Sequence, residues 1–249
     1  LDYVFELAQA QIETGADILD INVGAPGVDE VTMLPQVALA VSERFDVPIC
    51  LDSSNREALA AALKVVPGKP LINSVNGEEV NLNRLLPLIK EYGAAVIGLT
   101  MDENGISSDP EVRMGIAAKI LERASKLGIP AEDVVIDPLV LTVGADQNAG
   151  RVTLATIEMV RREFGVNINL GASNVSFGLP DRHTVNQAFL ALGASAGASC
   201  VITNPEKLTP IIRASDLLLG RDAFAARFIK DFRKRQTLGL VYDGAQAKS

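Results

Sequence analysis

The sequence contains no tryptophan, and aromatic residues make up only 4% of its 249 positions. Stacking platforms for nucleic-acid bases or sugar rings are therefore poorly supplied. Basic residues are also outnumbered. Lys and Arg total 23 against 31 Asp and Glu, a net charge of −8. Nucleic acid and anionic membrane surfaces want a basic face, so neither is an expected partner. A protein partner with a basic rim stays compatible. There is one histidine, His183, and two cysteines, Cys50 and Cys200. These cannot build a zinc site without several carboxylates, and no metal centre is expected. Both cysteines lie in apolar strand-like runs and read as buried thiols of a reducing compartment. No run of 18 apolar residues exists, so no membrane-spanning helix is expected. The reading is of a soluble, cytoplasmic protein. Only the tail from about Asp243 is expected to lack fixed structure.

What is present is an alternation of two kinds of segment. Short apolar, β-branched runs are strand candidates: Ile18–Val23, Val47–Asp52, Pro70–Ser74, Ala95–Thr100, Val134–Asp137, Asn167–Ala172 and Cys200–Thr203. Continuous apolar strands of this kind are buried on both faces of a parallel sheet. Longer segments with helical periodicity separate them. One presents Val112, Ile116, Ile120, Ala124 and Leu127 on a single face. Asp109 caps that helix, Pro110 opens it and Gly128 stops it. Asp181 is expected to cap another, with Val185, Ala188, Phe189 and Leu192 buried.

The alternation is that of a TIM (β/α)8 barrel. Nothing divides the chain, so residues 1–249 read as one domain. Seven strands stand against eight helical regions, and the first helix, about Tyr3–Thr14, has no strand before it. Such a barrel leaves two unpaired edges. The expectation is an N-terminally incomplete barrel whose first strand lies outside this numbering, or a gap that something else fills.

In a barrel, strand C-termini and the loops after them carry the chemistry. Those positions hold Asp20 and Asn22, then Asp52, Ser53, Ser54 and Asn55. Next come Asn73, Ser74 and Asn76, then Thr100, Asp102 and Asp137. Ser173 and Asn174, then Thr203 and Asn204, complete the rim. Ser54, Asn55, Asn76 and Asn204 suit helix capping. Asp52, Asn73 and Asp137 each end an apolar strand, so their side chains belong at the barrel mouth. No lysine ends a strand, which disfavours a Schiff-base aldolase. His183 falls in a helix's first turn and reads as an exposed helix residue. Asp20, Asp52 and Asp137 could serve a Mg²⁺ ion helped by substrate phosphates. The loop Gly171–Gly178 has two glycines, a weak phosphate signal. Carboxylates mixed with amides suit a neutral heterocycle. An ionised Asp accepts from an N–H and its neighbouring amino group, and an Asn amide pairs with an N–C=O edge. That is the hydrogen-bond character of a pterin.

Six motifs in order carry a family resemblance. They are Gly-Ala-Asp-Ile-Leu-Asp-Ile-Asn-Val-Gly (15–24), Leu-Asp-Ser-Ser-Asn (51–55), Ile-Asn-Ser-Val-Asn-Gly-Glu (72–78), Ile-Gly-Leu-Thr-Met-Asp (97–102), Ile-Asp-Pro-Leu-Val-Leu (136–141) and Gly-Ala-Ser-Asn-Val-Ser (171–176). Their order resembles the methyltetrahydrofolate:corrinoid methyltransferases, which include the folate domain of cobalamin-dependent methionine synthase. The resemblance implies that Asp52, Asn73 and Asp137 hold the pterin edge. It places Asp20 and Asn22 on the pocket floor, and Gly171, Ser173 and Asn174 beside the reactive part of the ring. Asn174 would bond near N5 as the catalytic residue, and Arg182 and Asn186 would lie on the following helix, with Arg182 near the folate.

By the same resemblance, tetrahydrofolate or 5-methyltetrahydrofolate is the substrate. Cobalamin or another corrinoid arrives on a partner protein, and the chain forms a homodimer. Two departures stand out. The family's opening strand with its Glu-Arg-Ile-Asn type segment is absent, and Phe177 replaces a Gln found in the acetyl-CoA pathway enzyme. Two alternatives are a non-catalytic folate or pterin-binding module of a larger corrinoid enzyme, and dihydropteroate synthase. The latter would need a Gly-Gly-Glu-Ser-Thr type loop where Asn-Val-Gly-Ala-Pro-Gly (22–27) stands, and a basic Arg-x-His segment near the C-terminus.

Overall fold

A computed structural model of the chain describes residues 1–241; the tail expected from Asp243 lies outside the described residues. Five strands pair in sequence order as one parallel sheet: β1 (Leu19–Asn22), β2 (Ile49–Asp52), β3 (Leu71–Asn76), β4 (Ala95–Leu99) and β5 (Val134–Asp137). The helices are α1 (Asp2–Glu13), α2 (Glu30–Arg44), α3 (Arg56–Leu63), α4 (Glu79–Tyr92), α5 (Pro110–Lys126), α6 (Ala149–Phe164), α7 (Arg182–Ala196), α8 (Pro205–Leu218) and α9 (Ala226–Thr237). The fold is the α/β barrel, open along one seam.

The two remaining strand candidates continue the sheet without becoming regular strands. Asn167–Ala172 meets β5 at one bridge, Ile136 to Ile168, with Ile136 N–H donating to the Asn167 carbonyl and Asn169 N–H to the Ile136 carbonyl. Beyond it, Cys200 and Ile202 N–H groups donate to the Ile168 and Leu170 carbonyls. One reverse bond, from Ile168, is missing for a local reason. Ile168 N–H is taken by the Ser199 hydroxyl at 3.0 Å, in place of a backbone carbonyl. These two stretches are the sixth and seventh segments of the barrel wall.

The helix ring closes where the strand ring does not. Helix α1 touches both α2 and α8, while the outer edge of β1 has no partner strand among the described residues. A cavity of about 1140 Å³ follows this seam into the interior, past Asp20, Cys50, Asn169 and Ile202.

The core lies between sheet and helices. Leu34, Leu51, Leu59, Leu86, Ile120, Ile136 and Ile157 are fully buried there. Strand side chains alternate between this core and the interior. Leu19 and Ile21 therefore face helices, and Asp20 and Asn22 face inward.

Two helices differ from their sequence reading. In α5 the buried face is Arg113, Ile116, Ala117, Ile120 and Ala124, while Val112 and Leu127 at its ends are exposed. Asp109 accepts from Glu111 N–H and caps it as expected. In α7 the buried face is Asn186, Phe189, Leu190 and Gly193, whereas Leu192 and Ala188 point outward. Gly193 explains the rotation. A Cβ there would lie 2.7 Å from Leu170 Cδ2, so the helix rests on the sixth segment through its bare glycine. Asp181 caps nothing with its side chain, because its backbone is left-handed (φ 45°) and a capping residue is normally extended.

Gly77 sets how closely the β3–α4 turn approaches α5. Its N–H donates to the Met101 carbonyl at 2.7 Å, and a Cβ would meet Ile116 Cγ2 at 2.6 Å and that carbonyl at 3.0 Å. Gly77→Ala should lower the unfolding free energy by about 1–3 kcal/mol, read from chemical denaturation. An unchanged midpoint would contradict this close approach.

Candidate active site

Register builds the first wall of the site. Asn22 pairs with Asp52, and Asp52 with Asn73, so three strands place an amide, a carboxylate and an amide side by side at the mouth. Asn22 Nδ2 donates to Asp52 Oδ2 at 2.8 Å, and Asn22 Oδ1 accepts from Gly24 N–H at 2.8 Å. The two contacts fix which way the Asn22 amide points. One level below, Asp20 pairs with Cys50 in register. Desolvation by the barrel wall raises the Asp20 carboxyl above the usual range. The nearby Asp52 charge adds to this, while the Cys50 thiol and Asn73 amide oppose it. Burial pushes both thiols, Cys50 and Cys200, upward, so they stay neutral.

Asp137 stands on the other wall and is buried. Its Oδ1 accepts from Leu139 N–H at 2.8 Å and its Oδ2 from Asn169 Nδ2 at 2.6 Å. Burial pushes its carboxyl up to about 6, against the pull of Leu139, Asn169 and the Gly171 N–H. The loop that supplies Leu139 is itself held. Arg113 is 1% exposed and has carbonyls for partners rather than a carboxylate. Its Nη1 donates to the Pro138 and Leu139 carbonyls, both at 2.9 Å, and its Nε to the Ser107 carbonyl at 2.6 Å. Thr153 Oγ1 also donates to the Leu139 carbonyl. Thr100, joined to Asp137 through its backbone N–H, is fully buried, and its hydroxyl has no partner among the described residues.

The third part is the short 3-10 turn Ala172–Ser176 after Gly171. Arg182 pins it: Nη2 donates to the Ser173 carbonyl at 2.8 Å and Nε to Ser176 Oγ at 3.1 Å. Its guanidinium also lies 5.8 Å from the centre of the exposed Phe177 ring. Ser173 and Asn174 are exposed. Asn174 Nδ2 sits 3.9 Å from where a Cβ on Gly171 would be, an ordinary van der Waals contact.

The residues expected from sequence thus form two walls and a loop: Asp20, Asn22, Asp52 and Asn73; Asp137 with Gly171; Ser173, Asn174 and Arg182. Other rim positions serve the scaffold. Asn55 Oδ1 caps α3, accepting from Glu57 and Ala58 N–H groups, and Asn76 Oδ1 accepts from Glu78 N–H. Asn204 caps α8 without a side-chain bond. The buried Ser53 donates to Glu30. His183 is exposed beside Gln187. Among the described residues no three His, Cys, Asp or Glu side chains converge to hold a metal ion. Asn169 and Arg113 were absent from the sequence reading. Each had a signal: Asn169 alternates with Asn167 on one face of an extended run, and Arg113 falls on the apolar face of α5.

The family model for pterin binding enzymes matches residues 1–204. The chain belongs to the pterin-binding enzyme family. Within it, the chain is 30% identical over 237 residues to a methylcorrinoid:tetrahydrofolate methyltransferase of Eubacterium limosum, covering 93% of this chain and 88% of that protein. It is also 30% identical over 259 residues to methionine synthase of Mycobacterium tuberculosis, of which it spans only 22%. A solved dihydropteroate synthase of Yersinia pestis superposes with a TM-score of 0.72 over 88% of this chain and 89% of that one, at 18% identity. The Vibrio fischeri 7,8-dihydropteroate synthase gives 0.71 at 20% identity, over 88% of each chain. At such identities the likeness is one of fold.

A carboxylate buried in a pterin-binding barrel has a stability signature. The Asp137 carboxyl titrates near 6 folded and near 3.9 unfolded. Between these values the folded chain binds more protons. Its stabilising contribution is therefore full below about pH 4 and is lost as pH rises through about 6. Asp137→Asn should raise the unfolding free energy at pH 7.5 by about 1–3 kcal/mol and flatten its dependence between about pH 4 and 6. Denaturant titrations across that range read both. A variant less stable than the parent at pH 7.5 would contradict the assignment.

Proposed function

We propose that this chain, as one pterin-binding barrel domain, moves the N5 methyl group between methyltetrahydrofolate and the cobalt of a corrinoid carried by a separate protein. One contrast at the rim supports this most. The strand-borne Asn22, Asp52 and Asp137 are bonded and fixed, while the Asn174 amide on the following loop is exposed and makes no side-chain hydrogen bond among the described residues. Fixed acceptors suit recognition of a ring edge. An unengaged donor suits an atom whose charge changes during reaction.

The ionised Asp52 and Asp137 carboxylates accept from adjacent N–H groups of the pterin, and the Asn73 amide pairs with its N–C=O edge. The donor set present fits a pterin edge without needing a metal. As the methyl group passes to the nucleophile the C–N bonding pair stays on N5, which leaves poorly as an anion, so N5 must take up a proton from solvent as that bond breaks. Asn174 is no strong acid, but its N–H can bond N5 more strongly as charge shifts, which is the differential stabilisation that catalysis needs. Removing one such donor typically costs about 10²–10³ in rate. A reduced corrinoid, delivered by its own protein, supplies the nucleophile. The barrel holds the folate in line with its open mouth, and such positioning can contribute about 7–11 kcal/mol. The match along most of the Eubacterium limosum methyltransferase favours this chemistry over that of the dihydropteroate synthases, whose likeness is of fold.

Cob(I)alamin mixed with methyltetrahydrofolate and this chain should convert to methylcobalamin, followed by its visible spectrum. Folate binding without conversion would point to a binding module instead. Asn174→Ala should slow transfer by about 100-fold or more while folate affinity stays within about threefold. Asp52→Ala should weaken folate binding by about tenfold or more, the worth of a hydrogen bond to a charged group. Unchanged transfer in the first variant, or unchanged affinity in the second, would remove that residue's role.

A further inference from the structure

The sixth segment carries a buried amide that no motif singled out. Asn169 has no solvent exposure. Its Nδ2 donates to Asp137 Oδ2 at 2.6 Å, and its Oδ1 has no partner among the described residues. Buried polar atoms without partners are rare, and one beside a binding pocket calls for a reason. Chemistry fixes the orientation. An ionised carboxylate only accepts, so the amide must turn its nitrogen to Asp137 and leave its oxygen over. A protonated Asp137 would present a donor to that nitrogen and lose the bond. Asn169 is therefore matched to one protonation state of its neighbour.

We propose that Asn169 is the positioning residue for Asp137, a clamp that fixes the carboxylate reading the pterin edge. Leu139 N–H, in the loop that leaves β5, holds one oxygen of Asp137, and Asn169, on the neighbouring sixth segment, holds the other. The Gly171 N–H acts on the same carboxylate, so three neutral donors fix its orientation at the end of β5. The clamp rests on the reading of Asp137 as a pterin contact, but its effect on Asp137 does not need the ligand.

The surroundings leave Asn169 as the adjustable part. The seventh segment presents the Cys200 thiol, which burial keeps neutral. From β4's end, Thr100 contributes its backbone N–H to the Asp137 carbonyl. From α5, Arg113 sits on the Pro138 and Leu139 carbonyls. The Asp52 and Asp20 carboxylates belong to the facing wall. Among side chains, the Asn169 amide is the one that bonds the Asp137 carboxylate directly.

The test is a ¹³C-carboxyl NMR titration of Asp137 in the ligand-free chain, with Asp137→Asn to assign its signal. Asn169→Leu keeps the bulk and removes the donor. It should move the Asp137 midpoint upward from about 6 by about one pH unit or more, the worth of one charge-assisted hydrogen bond. The acid limb of folate binding should move with it, while affinity on the alkaline plateau stays within about threefold. Asn169→Asp keeps the shape and sets two carboxyls against each other. They would share a proton, and the pair's upper midpoint should rise further still. This second variant gives the reading if the leucine variant does not fold. A midpoint that stays put in the folded variants overturns the clamp. So does a loss of plateau affinity with no shift, because that is the mark of a merely structural residue. A shifted titration in a chain that binds no folate supports the clamp and overturns the pterin reading alone.

Discussion

Parallel strands paired in register deliver their side chains in rows, and the contacts at the barrel mouth follow from the row shared by Asn22, Asp52 and Asn73. A slip of one residue would turn those three toward the helices and bring core residues such as Ile21 and Leu51 inward. The register is held from both faces. Leu51, Ile72 and Ile136 are locked into the packed layer beneath the helices, and Asn22 is bonded across to Asp52. The hydrophobic core thus works as an alignment device for polar groups it never touches.

The same arrangement places carboxylates where they are least comfortable. Asp20 and Asp137 are both raised by desolvation inside the barrel. What keeps Asp137 in position is a chain of neutral dipoles: Leu139 N–H, the Asn169 amide and, one step out, the carbonyls gripped by Arg113. A buried guanidinium bonded to carbonyls is itself costly. It persists here because it ties Ser107 on one loop to Pro138 and Leu139 on the next. Stability is given up locally for preorganised acceptors, a common pattern at functional sites.

Much of this was legible in the residues. Each of the first five strands lies within two residues of its expected bounds, because continuous apolar runs, four of the five ending in Asp or Asn, have few other uses. What escaped was information held between segments. The periodicity of α7 pointed to Val185, Ala188, Phe189 and Leu192; Phe189 is buried and Val185 half-buried, but the close approach allowed by Gly193 over Leu170 turns Asn186 and Leu190 inward in place of Ala188 and Leu192. Asp181 has the composition of a cap but a left-handed backbone. The sixth and seventh segments read as strands, and Ser199 intercepts the bond that would have made their ladder regular. Asn169 and Arg113 act through partners 32 and 25 residues away, a distance at which no local pattern can name the partner.

The central claim is that the two walls read the pterin edge while the Asn174 loop faces the methyl-bearing nitrogen. A crystal structure of the chain with 5-methyltetrahydrofolate bound tests it most directly. The account predicts pterin nitrogens within ~3.2 Å of the Asp52 and Asp137 carboxylates, and N5 within the same reach of Asn174 Nδ2. A pterin seated elsewhere, in the seam cavity for instance, or bound at the mouth with N5 turned away from Asn174, would contradict it.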